Sequence, residues 1–270
     1  MQVKACSNFG KHPFEMTPLS LVKDLMINRS IGELSASERQ ALADAISGTA
    51  DFVAGQTAVR QGQPVDVSLL LVEGMMTRQV YARDGRRHLM DVHLPGDFVD
   101  LHAYALKKLD HDVGALTAAK VAIFPHRELA RIQSTFPNLT RQLWFLTLLD
   151  AAMHRQWIFR LASLDAIERI AHFLCEINTR LMAIGLSDGN RFVLPMTQVD
   201  LGEVCSLTNV HVSRVLRQLR ERELCLVRAS QVEILDLRRL AQLGQFEPAY
   251  LYFNRAISTR AVGSLQKVST

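Results

Sequence analysis

The segment from residue 193 to residue 236 constrains the fold of this chain more than any other part of its sequence. Thr197 is followed three residues later by Asp200, which is the capping-box spacing that begins a helix. This helix is short and stops near residue 205, and Thr208 caps a second helix after a tight turn. Two short helices joined in this way are typical of a helix-turn-helix.

The second of these helices has one apolar side and one polar side. Its apolar residues recur at i, i+3, i+4 and i+7, and they are Val212, Val215, Leu216 and Leu219. The other side is polar and basic, because residues 207–222 hold four arginines and one acidic residue. Apolar runs at 225–227 and 232–235 follow and predict a hairpin. The segment therefore predicts a winged helix-turn-helix.

This arrangement suits DNA recognition. A helix in the major groove presents its outward residues to base edges, and Arg214 there can donate two hydrogen bonds to guanine, worth about 1–3 kcal/mol of discrimination. Thr208, His211 and Ser213 have the size and polarity for phosphate oxygens. The predicted DNA-contacting residues are Thr197, Thr208, Asn209, Val210, His211, Ser213, Arg214 and Arg217. A merely solvated basic face is the alternative, and it explains the arginines but not the caps, turn and hairpin together.

A different pattern occupies residues 50–125. Short runs rich in Val, Leu and Phe recur at spacings of about 10 residues, with turn signals between them. Asp84-Gly85, between 76–82 and 88–92, is a hairpin signal. We expect a β-sandwich or barrel here.

Helical patterns lie on both sides of this region. Residues 17–48 predict helix, with Ser35 and Glu38 forming a capping box. A later helix runs from about residue 165 to residue 184 and ends at Gly185, a suitable residue for a helix C-terminus.

A long helix is predicted over residues 136–161, with Pro137 in its first turn. Six residues follow one another at alternating steps of four and three: Leu139, Leu143, Leu146, Asp150, Met153 and Trp157. Other faces carry Leu148, Leu149, Ile158 and Phe159, so the helix is apolar nearly all round and must be covered on several sides. The six residues fit either a dimer seam or the core side of a single long helix.

Composition excludes several classes of protein. With 48% hydrophobic and 21% charged residues, the 270-residue chain can bury a core and is not a disordered protein. No apolar run approaches the roughly 18 residues of a membrane span, and the N-terminus does not read as a signal peptide. The four cysteines (Cys6, Cys175, Cys205 and Cys225) stand apart, which favours free thiols and a cytoplasmic protein. The net charge of +4 allows a nucleic-acid partner without requiring one.

Motifs in both halves resemble those of the Crp/Fnr superfamily of bacterial transcription regulators. The stretch "RDGRRHLMDVHLPGDFVDL" carries the resemblance in the first half, and "LPMTQVDLGEVCSLTNVHVSRVLRQLRERELCLV" carries it in the second. The resemblance implies an α+β fold with a jelly-roll-like N-terminal β-roll, a long dimerisation helix and a C-terminal winged helix-turn-helix. The implied divisions are a sensor domain at 17–135, the dimerisation helix at 136–161, the DNA-binding domain at 163–240 and a C-terminal tail at 241–270. We expect a short helix near residues 246–250 in that tail and frayed chain after it.

The same resemblance implies a homodimer that places two recognition helices on a palindromic site and works with RNA polymerase. Members read each half-site through three outward positions, which fall here on Asn209, Val210 and Arg214. Most members have glutamate where Val210 stands, and a valine cannot accept a hydrogen bond from cytosine N4. Ser206 replaces the usual turn glycine, at a cost of up to about 1 kcal/mol if φ is positive there.

The residues of the roll indicate which small-molecule effectors it could bind. Members that bind a cyclic nucleotide use an arginine and a glutamate, but no arginine occurs between Arg87 and Arg127, and Asp97 stands in the place of the glutamate. An iron–sulfur cluster needs about four thiolates, and the roll has none. Haem stays open, because the roll holds His88, His93, His102, His111 and His126. No cofactor is predicted, and control by expression level or by a thiol also stays open.

An enzyme has little support, because no nucleophile motif, zinc-ligand spacing or Gly-rich phosphate loop occurs. The main alternative to a regulator is a ligand-binding module of the same architecture whose contact with DNA is weak or vestigial. Val210 and the low net charge motivate that alternative.

Overall fold

The computed structural model describes residues 17–25, 27–29 and 31–262. The chain begins with two short helices, α1 (Pro18–Leu21) and α2 (Ala36–Asp44), instead of one continuous helical zone. The side chain of Ser35 accepts from the backbone of Glu38, and that of Glu38 accepts from the backbone of Ser35, so the predicted capping box is confirmed.

Two antiparallel sheets then form the roll, with strand orders β1-β7-β3 and β2-β6-β4-β5. The strands are β1 (Gly48–Phe52), β2 (Thr57–Val59), β3 (Val67–Glu73), β4 (Met76–Tyr81), β5 (Arg87–His93), β6 (Asp112–Ala115) and β7 (Ala119–Pro125). The short helix α3 (Ala103–Leu106) lies between β5 and β6. The hairpin signal at Asp84-Gly85 is confirmed, since β4 pairs with β5 and Gly85 has φ +80°.

Alternation along β3 places side chains on two sides of its sheet. Leu69 and Leu71 pack inside the roll, together with Val113 of the other sheet. Leu70 points the other way and packs with Phe124 against the flanking helices. The roll therefore has an inner core and a second core under its helices.

Helix α4 (His126–Thr135) leads into the long helix α5 (Pro137–Ser163), which begins at Pro137 as predicted. Helix α6 (Ala166–Ala183) follows, capped by Asp165 and followed by Gly185 at φ +76°. Most residues of α6 are buried, because α6 packs against the DNA-binding helices and also against α5. It is the central element of the second half of the chain.

The predicted winged helix-turn-helix is present. It consists of β8 (Arg191–Val193), α7 (Gln198–Cys205), α8 (Asn209–Glu221), β9 (Cys225–Arg228) and β10 (Gln231–Ile234). The strands form one sheet in the order β8-β10-β9. The fold is therefore α+β, with a roll, a long helix and a winged helix-turn-helix in that order, as expected.

The segment after the wing is not a frayed tail. It forms α9 (Leu237–Leu243), a 3₁₀ turn (Pro248–Leu251) and α10 (Arg255–Ala261). Its apolar residues enter the same core as α6, and they are Phe246, Leu251, Phe253, Ile257 and Ala261. This corrects the expected tail at 241–270, of which residues 263–270 lie outside the described residues. We call residues 244–262 the C-terminal strap.

The strap also reaches the start of the described chain. The guanidinium of Arg29 lies 4.0 Å from the centroid of the Phe253 ring, and it donates to the carbonyl of Leu251. The backbone N–H of Asn254 donates to the carbonyl of Asn28 over 2.7 Å. The two ends of the described chain are thus held together. Across the described residues, no helix has the length and apolar character needed to cross a membrane.

Candidate DNA interface

The start of α7 is held by its own side chains. Thr197 Oγ1 accepts from the backbone N–H of Asp200 at 3.1 Å, and Asp200 Oδ2 accepts from the backbone N–H of Thr197 at 2.9 Å. This is the predicted capping box. Since a helix N-terminus carries free N–H groups and partial positive charge, the exposed start of α7 suits a phosphate.

Gly202 allows the tight turn between α7 and α8, and the sequence analysis did not predict this role. A Cβ on Gly202 would lie 2.6 Å from the carbonyl oxygen of Leu207, so a larger residue there would push the turn away. Ser206 ends α7 in the left-handed region, at φ 54°. The predicted strain at Ser206 depended on a positive φ, and the structure has one there.

Helix α8 has its buried and exposed sides where the pattern predicts. Val212, Val215 and Leu219 are buried. Every predicted DNA-contacting residue is exposed: Thr197, Thr208, Asn209, Val210, His211, Ser213, Arg214 and Arg217. Val210 is 71% exposed, so its side chain is accessible to a partner. All eight predicted residues are therefore accessible at the surface of the described domain.

Two helices share this surface through a polar contact. Ser213 Oγ donates to Gln198 Oε1 over 2.6 Å, which joins α8 to the start of α7. Gln198 was not predicted as a site residue, and its position directly after the cap of α7 was the signal available. The guanidinium groups of Arg214 and Arg217 make no ion pair with any described residue, so they are free to meet a polyanion.

The predicted dimer seam faces the chain's own domains. Leu139, Met153 and Trp157 are buried within the chain. Leu143 and Leu146 pack partly against its cores, and Asp150 pairs with Arg78 of β4 at 2.7 Å. A helix that is apolar nearly all round fits the heptad rule on more than one side, so periodicity could not select the side that stays uncovered.

A second heptad series on α5 is exposed. It consists of Trp144, Leu148, Ala151, Arg155 and Ile158. Three of these are large apolar side chains with exposed fractions of 65% for Trp144, 52% for Leu148 and 67% for Ile158. We call these five residues the exposed seam. Its steps of four and three are those of a coiled-coil side.

Comparison with known proteins assigns a family to each half. Residues 50–136 match the cyclic nucleotide-binding domain, and residues 168–243 match the Crp-like helix-turn-helix domain. The transcriptional activator protein FnrL of Cereibacter sphaeroides is 29% identical over 221 residues, which cover 80% of this chain and 88% of FnrL. The chain belongs to the Crp/Fnr superfamily.

Other Crp/Fnr proteins are similar in sequence or in fold. The transcriptional activator protein Anr of Pseudomonas protegens is 27% identical over 210 residues, which cover 78% of this chain and 86% of Anr. The solved structure of FixK2 from Bradyrhizobium japonicum matches with a TM-score of 0.67 and 24% identity, over 73% of this chain and 96% of FixK2. The FixK2 match shows that the Crp/Fnr fold is shared.

The roll meets α5 at a cavity of about 40 Å³. Arg78 Nη1 contacts both carboxylate oxygens of Asp150 at 2.8 and 2.7 Å, and it lies 3.5 Å from Asp91 Oδ2. His154 lies close to the carboxylates of Asp91 and Asp150, and the three side chains have the spacing of metal ligands. Since Arg78 already supplies a cation there, the cluster is a charge-compensated link between roll and helix.

The histidines considered for haem are spread through the roll. Burial lowers the pKa of His93 well below its ordinary value and lowers the pKa of His102 to about 4, so both rings are neutral near pH 7. His102 and His111 lie with ring centroids 5.4 Å apart. His102 also lines a mostly apolar groove of about 370 Å³ beside Trp144. Among the described residues, no three of these histidines lie close enough together to share a metal ion.

Proposed function

We propose that this protein is a homodimeric, sequence-specific transcription regulator of the Crp/Fnr type. In this proposal α8 lies in the major groove of a palindromic site, and one recognition helix from each protomer reads a half-site. The observation that carries the proposal is the exposed polar side of α8, where Arg214 and Arg217 have no ion-pair partner among the described residues while caps and buried residues fix the helix.

The proposed dimer forms along the exposed seam of α5. Exposed Trp144, Leu148 and Ile158 on one side of a long helix would be costly in a monomer, because large contiguous apolar surface is normally covered. A parallel pair of α5 helices would cover them and set the two DNA-binding domains side by side. This replaces the six residues first predicted as the seam.

Several narrower points complete the proposal. FnrL and Anr are named as transcriptional activators, which supports activation through RNA polymerase by this chain as well.

A non-enzymatic role fits a family of regulators. Buried free thiols at Cys175, Cys205 and Cys225 fit a reducing cytoplasm.

The effector proposal follows from the cavity under α5. Ligand pockets usually measure several hundred cubic ångströms, and the roll presents about 40 Å³ there, occupied on one side by the Arg78 ion pairs. We infer that this cavity is too small to hold a cyclic nucleotide.

Selection from a randomised duplex library by the purified protein tests the proposed function. We expect a two-fold symmetric motif and a steep loss of binding as salt rises. Arg214→Ala should remove about 1–3 kcal/mol of preference at one base of each half-site. Arg39→Ala, an exposed arginine on α2, is the matched control and should leave the motif unchanged.

Absence of any enriched motif, both with and without cell extract, would contradict the proposal. That result would favour the ligand-binding module with vestigial DNA binding. An asymmetric motif would contradict the dimer while leaving the recognition helix in place.

A further inference from the structure

The β4–β5 hairpin of the roll contacts the first helix of the helix-turn-helix. Arg87, the first residue of β5, reaches two carboxylates on α7: its Nη2 lies 2.5 Å from Asp200 Oδ1, and its Nε lies 2.8 Å from Glu203 Oε2. The three side chains are only partly exposed, at 28% for Arg87, 12% for Asp200 and 19% for Glu203. Charge-assisted hydrogen bonds of this kind are stronger and more directional than neutral ones.

The Arg87 contact holds α7, and α7 is itself joined to the recognition helix α8. Asp200 is at the same time the residue that completes the capping box of α7 with Thr197, and Gln198 of α7 is bonded to Ser213 of α8. A rotation of α7 therefore turns the recognition helix with it. Partial burial opposes the charge of Arg87, but the hydrogen bonds to Glu203 and Asp200 raise its pKa above the ordinary value, so the guanidinium stays charged.

The same hairpin is anchored at its other end to the long helix. Asp91 of β5 lies 3.5 Å from Arg78 of β4, and Arg78 binds Asp150 of α5. Leu89, which lies between Arg87 and Asp91, and Val92, which follows Asp91, pack in one core with residues of α5, α6 and α7. The hairpin is thus a short rigid link between α5 and α7.

We propose that Arg87 is a positioning residue for DNA binding: it fixes the angle of the helix-turn-helix relative to α5, and so the separation of the two recognition helices in the dimer. The inference rests on the proposed function. Half-sites one helical turn apart lie about 34–36 Å apart, so both helices can enter successive grooves only at a defined separation. A single half-site sets no such requirement.

The test compares Arg87→Glu with Arg86→Glu. Arg86 is the neighbouring exposed arginine, and Asp84 of the same hairpin is the only partner of its side chain among the described residues, so the control changes charge equally. Dissociation constants are measured at one salt concentration for the selected palindrome, for a duplex with one half-site, and for palindromes with the spacer changed by one or two base pairs.

We expect Arg87→Glu to weaken binding to the palindrome about tenfold. The same variant should bind the half-site duplex like the wild type and should discriminate less between spacers. The double variant Arg87→Glu with Glu203→Arg restores the ion pair with the two charges exchanged. It should recover both the affinity for the palindrome and the discrimination between spacers. Asp200 is left intact in the swap because it completes the capping box of α7.

Three results would overturn the proposal. These are equal losses on palindrome and half-site, no loss at all, or no recovery in the charge swap. Amide hydrogen exchange of α7 without DNA gives a separate readout, which should rise in Arg87→Glu and fall again in the swap. If the wild type selects no DNA, the proposed function fails, and unchanged exchange in Arg87→Glu would independently refute the positioning contact.

Discussion

The hydroxyl of Tyr250 donates a hydrogen bond of 2.5 Å to Oε2 of Glu176, which joins the C-terminal strap to the central helix α6. The other carboxylate oxygen of Glu176 faces Trp157 Nε1 of α5 at 3.4 Å. Burial, followed by the nearby charge of Glu176, raises the pKa of Tyr250 well above its ordinary value, so the phenol remains a donor. One fully buried carboxylate therefore links the strap to both α5 and α6.

Tyr250→Phe should lower the free energy of unfolding by about 1–3 kcal/mol, because it leaves a buried carboxylate oxygen without its donor. Urea denaturation of the whole chain measures this. Tyr252→Phe is the matched control, since Tyr252 is 47% exposed, and it should change stability by less than about 0.5 kcal/mol. A change in Tyr250→Phe as small as that in Tyr252→Phe would mean that the Tyr250–Glu176 hydrogen bond does not stabilise the fold.

A charge in the exposed seam should break the proposed dimer. Leu148→Glu places a carboxylate within that seam, and we expect a monomer in sedimentation experiments and loss of binding to the palindrome. Val53→Glu makes a comparable change at a 69% exposed valine of the roll and should remain dimeric. A Leu148→Glu dimer that binds DNA normally would place the interface elsewhere.

Val210→Glu should change the base that is read. A carboxylate can accept from cytosine N4, whereas valine contacts a thymine methyl, so preference for cytosine at one position should rise by about 1–3 kcal/mol. Library selection with the variant measures it. Val199→Glu adds the same charge on α7 and should weaken binding without altering base preference. Identical motifs from wild type and Val210→Glu would show that residue 210 does not face a base.

Ser206→Gly should stabilise the protein. The serine has φ 54°, a conformation that costs an ordinary residue about 1 kcal/mol relative to glycine. The midpoint of thermal unfolding should therefore rise. Ser37→Gly, in the first turn of α2, should instead lower it, because glycine is a poor helix former there. A drop in both variants would mean that the serine side chain is needed at the turn.

Stability should fall on acidification because of His102. Its folded-state pKa is lowered to about 4 by burial, while an unfolded histidine titrates near 6.5. Between those values the unfolded chain binds a proton that the folded protein excludes, so the group costs up to about 1.4 kcal/mol for each pH unit below 6.5. His102→Asn should flatten the curve of unfolding free energy between pH 6.5 and pH 4. Parallel curves would contradict the assignment.

The elements that the sequence predicts well are those decided locally. The capping boxes at Ser35 and Thr197 need only residues three apart, and the α8 stripe needs only its own period. The polar side of α8 follows from that stripe without knowledge of any other element. These features include most of the candidate DNA interface.

The elements that it misses depend on distant parts of the chain. Which side of α5 is covered depends on the roll and on α6, so Trp157 and Leu148 could not be told apart by spacing. The strap has no long periodic run of apolar residues that would predict its burial. Its buried residues Leu251 and Ile257 belong to two separate short elements. The contact of Arg87 with Asp200 crosses two domains, and no pattern within either one predicts it.

The stacking of Arg29 on Phe253 has a consequence for the order in which the chain is made. Arg29 also bonds to Leu251, which follows it by 222 residues. During translation the roll strands, all complete by residue 125, leave the ribosome well before the strap does. The sheets can therefore close while Arg29 still lacks its partners. Arg29 and the strap can join only after the chain has been synthesised through residue 253.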